Sequence, residues 1–160
     1  MNRFIGFNPG IASGSTGHHY AGRNNAFWRL LHDSSLAPGL SAQVDFLLPN
    51  HGIGLTNVAA RTTRSADELT SAEYREGART LRAKLSAFRP LIACYTGKGA
   101  YRWASNVRID HIQYGLQAHQ AVEAIHDYVV PSPSGRSTIA YAVKLGYYMS
   151  LKLYADLLQK

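Results

Sequence analysis

The 160 residues contain a single cysteine, Cys94, which leaves no internal disulfide and no thiolate metal cluster, and fits a reducing compartment. No stretch approaches the ~20 apolar residues of a membrane span, and the N-terminus lacks a secretory pattern. Acidic residues are few: ten Asp and Glu stand against seventeen Lys and Arg, for a net charge of +7. That excess favours a polyanionic partner. Several catalytic signatures are missing as well. There is no glycine-rich loop ending in Gly-Lys-Ser, no His-Glu-x-x-His and no Cys-x-x-Cys, and Gly97-Lys98 alone is too short for a nucleotide loop. Ser134 sits in Pro-Ser-Gly rather than Gly-x-Ser-x-Gly, which argues against a hydrolase elbow. Loops that could carry a site hold no acid apart from Asp110 nearby, which disfavours a carboxylate-pair mechanism. Neither a metal nor a cofactor is expected.

What is present describes a compact protein. Hydrophobic residues make up 46% and charged residues 17%, unlike a disordered chain. The length suits one domain, 1–160, burying roughly two-thirds of its unfolded surface. A strand candidate lies almost at the first residue, so the chain is expected to be a trimmed catalytic core.

The first strand, Phe4 to Phe7, stops at Asn8-Pro9-Gly10, since proline cannot donate to a ladder and glycine frees the turn. Residues 9–22 read as a loop rich in glycine, serine and histidine. Asn24 or Asn25 can cap a helix through Ala26–His32, with Phe27, Leu30 and Leu31 facing the core. A short helix follows from Ala42 to Leu48, then an extended segment at 52–58 and a polar loop at 61–64. The pattern predicts a helix over Ser71–Phe88, weakly capped by Ser71, with Tyr74, Ala78, Leu81, Leu85 and Phe88 as its apolar stripe. A buried strand, Leu91 to Tyr95, stops at Thr96-Gly97-Lys98; a helix from Gly99 to about Val107 follows. Residues 109–125 leave room for an antiparallel excursion. Tyr128-Val129-Val130 is a third apolar strand, and a last helix, about 142–158, places Leu145, Met149, Leu153 and Leu157 on one stripe.

Strands alternating with helices make the fold class α/β, a parallel sheet covered on both faces. The loops after Phe7, Tyr95 and Val130 then converge on one edge, where such sheets bind ligands. They offer amides, hydroxyls, the adjacent His18 and His19, Tyr20 and basic residues. An amide at Asn8 can orient a water without accepting its proton. Tyr20 supplies a ring on which a base can stack. Ser134 and Gly135 allow backbone to approach a phosphate, and Arg136 at a loop tip can reach into a duplex. Each also has an ordinary reading, as turn, anchor or solvated loop charge.

The ordered set of segments lifts these readings. Gly6-Phe7-Asn8-Pro9-Gly10, Gly17-His18-His19-Tyr20 and Asn25-Ala26-Phe27-Trp28 resemble the start of the thymine-DNA glycosylase and mismatch-specific uracil-DNA glycosylase family. The likeness continues through Gly52-Ile53-Gly54-Leu55-Thr56-Asn57, Arg61-Thr62-Thr63, Tyr74-Arg75-Glu76-Gly77, Gly97-Lys98, Tyr114-Gly115-Leu116-Gln117 and Pro133-Ser134-Gly135. It spans nearly the whole chain.

The resemblance implies a single three-layer domain with a central parallel sheet of four strands between helices. It implies a monofunctional glycosylase that cleaves the base–sugar bond of a base mispaired with guanine in double-stranded DNA and leaves an abasic site. Uracil is the expected base, with thymine or modified cytosines as further substrates. By the same likeness Asn8 positions the attacking water, with His19 as a second catalytic residue. Ile5, Gly6, Phe7, Ser13, Tyr20, Asn25, Asn57 and Thr96 fall in the base pocket. Thr63, Lys98, Pro133, Ser134, Gly135 and Arg136 fall among DNA contacts and the wedge that fills the extruded nucleotide's place. Ser13 stands where thymine enzymes carry alanine, which argues against efficient thymine removal, and Thr96 stands where asparagine is usual. With an amide in place of a carboxylate, the enzyme is expected to be slow, since general-base catalysis contributes roughly 10²–10⁴ in rate. A monomer, a nuclear location and no membrane partner complete the expectation. The alternative is a weak or inactive reader of mismatched or modified DNA with the same fold.

Overall fold

The computed structural model of the chain describes residues 2–160. Strands β1 (Asn2–Gly6), β2 (Ile53–Asn57), β3 (Ile92–Thr96), β4 (Gly115–Leu116) and β5 (His126–Val130) form one sheet in the order β2-β1-β3-β5-β4. The four long strands are parallel, as the alternation of elements requires. The fifth, two-residue β4 runs antiparallel along β5, which realises the excursion expected between 109 and 125. Register places Gly6 beside Asn57 and Thr96 beside Val130, so the parallel strands end level with one another. That alignment sets the loops that follow them side by side.

Helices α2 (Phe27–Asp33) and α5 (Tyr141–Leu157) cover one face, and α3 (Ser71–Phe88) and α4 (Lys98–Ser105) cover the other. On the first face Phe4, Phe27, Cys94 and Tyr148 are sealed together, with Phe4 edge-on to Phe27 and stacked on Tyr148. On the second, Ile5, Leu81, Leu85, Tyr95, Tyr101 and Val129 pack together. Each such side chain contributes about 1.5–3 kcal/mol when fully buried. Asp127 is sealed into this second layer, where the Ala121 N–H bonds it at 2.6 Å and burial pushes its carboxyl up to about 7.

Several local expectations are corrected. Residues 11–16, read as loop, form the short helix α1 (Ile11–Thr16), which stops at Gly17 in the left-handed conformation, φ 75°. None of its side chains is buried, so it left no amphipathic stripe in the sequence. The cap of α3 is Thr70, not Ser71: its hydroxyl accepts the Glu73 N–H while the Glu73 carboxylate accepts the Thr70 N–H. Such a box is worth about 1 kcal/mol. Phe88, expected on the buried stripe, is exposed beneath the Arg3 guanidinium. The stripe on α5 is also displaced. Lys144, Tyr148, Leu151 and Ala155 face the sheet, while Met149, Leu153 and Leu157 are exposed, Leu153 at 66%. Tyr148 filling the space against Phe4 decides that rotation, because a buried aromatic outweighs several smaller aliphatic contacts. The 3₁₀ segment at Ala42–His51 runs past Pro49 rather than ending before it.

Candidate active site

A cleft of about 710 Å³ opens at the C-terminal edge of the sheet. Its walls come from the ends of β1, β2 and β3, from α1 and the loop that follows it, from residues 63–67, and from the loop after β5. The cleft lies where the strand ends of an open α/β sheet ordinarily bind ligands.

Asn8 follows β1 directly. Its Nδ2 donates to Thr63 Oγ1 at 2.7 Å, to the Arg61 carbonyl at 2.8 Å and to the Pro9 carbonyl at 3.3 Å. The Thr63 hydroxyl donates its own proton to the Ser65 carbonyl at 2.7 Å. Every partner on that side is therefore an acceptor, which fixes the NH₂ towards them and leaves Oδ1 without a hydrogen-bond partner among the described residues. Segment 61–65 is docked beside residues 8–10 by the Thr63 N–H to the Pro9 carbonyl and a bridge between Gly10 and Thr63. Arg61 is in turn held from two sides: its guanidinium pairs with Glu73 of α3 and donates to the Glu68 carbonyl, ahead of that helix, at 2.8 Å. The Arg61 guanidinium, with help from the Thr70 N–H, lowers the Glu73 carboxyl to about 2.

Tyr20, on the loop after α1, also lines the cleft. Its ring stacks on Phe27 with centroids 3.8 Å apart, which covers one face. The residue is half-buried and lines the cleft with the remainder. The Thr96 hydroxyl donates to the Ile5 carbonyl, so the Tyr20 hydroxyl donates to Thr96 Oγ1, both at 3.2 Å. Burial raises the phenol further above its ordinary value, keeping that donor protonated. Gly6 lies between these groups: a Cβ there would stand 2.5 Å from Asn57 Oδ1 and 3.1 Å from the Tyr20 hydroxyl. The Asn57 amide makes no side-chain hydrogen bond among the described residues and lines the cleft with both donor and acceptor available.

The loop after α1 is clamped at three places. The Ala21 N–H bonds Ser13 Oγ at 3.1 Å, and Trp28 Nε1 donates to the His19 carbonyl at 3.1 Å. Asp45 accepts from the His19 N–H at 3.0 Å and meets Nδ1 of both His18 and His19 at 3.2 Å. Burial works to raise the Asp45 carboxyl, but the His19 N–H and the two imidazoles outweigh it and hold it below the ordinary value. Asn25 Oδ1 accepts the Phe27 N–H at 2.9 Å and the residue lines the cleft, although the N-cap position of α2 is Ala26 rather than the asparagine expected there. On the far wall the Ala26 N–H bonds the Pro133 carbonyl at 2.8 Å, Gly135 lies against Asn24, and the Arg136 N–H bonds Ser134 Oγ. Arg136 and Arg64 line the cleft without a carboxylate partner among the described residues.

The structure thus gathers Gly6, Phe7, Asn8, Ser13, His19, Tyr20, Asn25, Asn57, Thr63, Thr96, Pro133, Ser134 and Arg136 around one cleft. It places others differently. Ile5 is fully buried, and only its carbonyl serves the site, through Thr96. Thr63, expected to contact DNA, is 3% exposed and spends its hydroxyl on Asn8 and Ser65, which makes it a brace. Lys98 lies outside the cleft lining, its ammonium 5.0 Å from the Tyr114 ring centroid. The expectation that Asp110 was the one acid near the site also fails, because Asp45 and Asp67 are there. Asp45 comes from 26 residues beyond His19, inside a 3₁₀ segment with no sequence cue to its partner.

A G/U mismatch-specific uracil DNA glycosylase from Schizosaccharomyces pombe is 39% identical over 102 residues. That match covers 61% of this chain and 31% of the relative, so the matched part spans about a third of the yeast protein's length. The family description of the uracil DNA glycosylase superfamily matches residues 3–157. A parallel sheet whose strand ends carry the Asn8 cleft, read together with that match over nearly its whole length, places the chain in the uracil DNA glycosylase superfamily.

Proposed function

We propose that the chain is a monofunctional DNA glycosylase that removes uracil mispaired with guanine from double-stranded DNA. One observation carries the reading: the Asn8 NH₂ is saturated by three acceptors, and its Oδ1 remains as an acceptor on a cleft-lining residue. Water donating to Oδ1 is held for attack on the sugar carbon at the glycosidic bond. That bond breaks as the water oxygen adds, its proton leaves to solvent, and the electron pair departs with the base.

A base inside a duplex is beyond reach of such a cleft, so it is flipped out, at a cost of a few kcal/mol that is least for a mispair. Tyr20 then stacks on the base, and the unpaired Asn57 amide reads its edge. Negative charge developing on the leaving base is stabilised by backbone N–H groups at the end of β1, as donors do in an oxyanion hole. Positive charge on the sugar is met by the DNA phosphates. The wedge of Ser134, Gly135 and Arg136 fills the emptied place in the stack. Asn8 cannot take the water's proton, and Asp45 is engaged by two histidines, so turnover is slow. Thymine and modified cytosines are secondary substrates of this reading, and a monomer in the nucleus is its cellular form.

The test is incubation with a G·U duplex, then alkali to break the strand at abasic sites. Strand breaks at uracil are expected. Tight mismatch binding with no abasic product over a day would instead make the protein a reader.

A further inference from the structure

His18 and His19 are neighbours in the chain, yet both direct Nδ1 at the same carboxylate, one to each oxygen of Asp45, at 3.2 Å. An ionised carboxylate only accepts, so both Nδ1 atoms carry a proton. Neither Nε2 has a hydrogen-bond partner among the described residues. The rings are 35% and 40% exposed and line the cleft, whereas Asp45 is 14% exposed behind them. A neutral Nε2 carries a lone pair, which a phosphate oxygen repels. A protonated one is a charge-assisted donor to that oxygen.

We propose that Asp45 is a positioning residue that makes His18 and His19 a paired, proton-gated contact for a DNA phosphate at the cleft mouth. The inference rests on the DNA-glycosylase reading for its ligand, while its residues are given by the geometry. Asp45 fixes both rings with Nε2 free, and a proton there turns each ring into a charge-assisted donor, so DNA affinity rises as pH falls through the range where histidine ordinarily charges. Other charged groups around the cleft are Arg64 and Asp67 on the segment after β2 and Arg136 on the loop after β5. Tyr20, next in the chain, keeps its proton on Thr96, and the segment bearing Asp45 holds only His51 besides. Among the described residues no carboxylate other than Asp45 pairs with either ring.

The experiment measures affinity for a duplex bearing a stable abasic-site analogue opposite guanine, from about pH 8 down to about pH 6, at several salt concentrations. Wild-type affinity is expected to tighten roughly threefold to tenfold on acidification. The slope of log affinity against log salt should steepen by about 0.9 for each imidazolium that meets a phosphate. Asp45→Asn should lose most of both responses, and Asp45→Glu should restore part of them. A His18→Gln/His19→Gln pair, altered at exposed rings, carries the same expectation should Asp45→Asn fold poorly. A wild-type affinity indifferent to pH, or an Asp45→Asn response equal to wild type, overturns the proposal. Excision from a G·U duplex, measured alongside at about pH 8, judges the glycosylase reading separately: a protein that binds with the Asp45-dependent response yet never excises keeps this inference and loses that one.

Discussion

The two sides of the cleft are stiffened in different ways. The Asn8 side is braced by groups that do not change charge near neutrality: a threonine hydroxyl, two carbonyls, and the Arg61–Glu73 pair, whose acid is lowered to about 2. The histidine side hangs on one carboxylate shared by two imidazoles. On the proposed reading, chemistry falls to the Asn8 wall and engagement of the DNA backbone to the histidine wall. The sign for Glu73 follows from its lowered value: its contribution to stability is complete above its ordinary value of 4.5 and fades only as pH falls towards about 2.

Removing the amide attacks the first wall most directly. Asn8→Ala is expected to lower the single-turnover excision rate by about 10²-fold or more while DNA affinity is largely kept; an unchanged rate would falsify its role. Thr63→Val keeps the shape but removes both the acceptor for Nδ2 and the donor to Ser65. It should slow excision roughly tenfold through misplacement of the same amide, with little change in affinity. Arg136→Ala belongs to the other kind of effect: binding several-fold weaker, with a salt slope shallower by about 0.9, seen in an anisotropy titration. The smallest change is expected for Glu73→Gln, a fall of about two- to threefold in rate that is the same at about pH 6 and about pH 8. A pH-dependent deficit there would erase the distinction between the walls.

Much of this was legible beforehand, and what was not has physical causes. Strands show as apolar runs broken by glycine, proline or small polar residues, so β1, β3 and β5 and their converging loops could be placed. Helix α3 carries a clean stripe through Tyr74, Ala78, Leu81 and Leu85. By contrast, α1 buries nothing and is rich in glycine and serine, so neither periodicity nor propensity marks it. The α5 stripe through Met149, Leu153 and Leu157 is as regular as a buried one, and only packing of Tyr148 against Phe4 decides which face turns inward. At the site, the resemblance placed Asn8, Tyr20 and Asn57 where the cleft has them. Roles set by tertiary contact escaped it: Thr63 as a buried brace, Ile5 as core, Asp45 as partner of two histidines far away in sequence.

Gly6 has a consequence for how such a cleft can change. The space beside its Cα is shared by the Asn57 amide and the Tyr20 hydroxyl, the ends of two flexible side chains rather than fixed backbone. A methyl group at position 6 would leave the sheet standing and push both ends aside together. On the proposed reading, base reading by Asn57 and base stacking by Tyr20 therefore cannot be retuned one at a time through that residue: a single mutational step moves both side chains jointly. Any route to a different base preference that starts at Gly6 has to adjust position 20 or 57 as well.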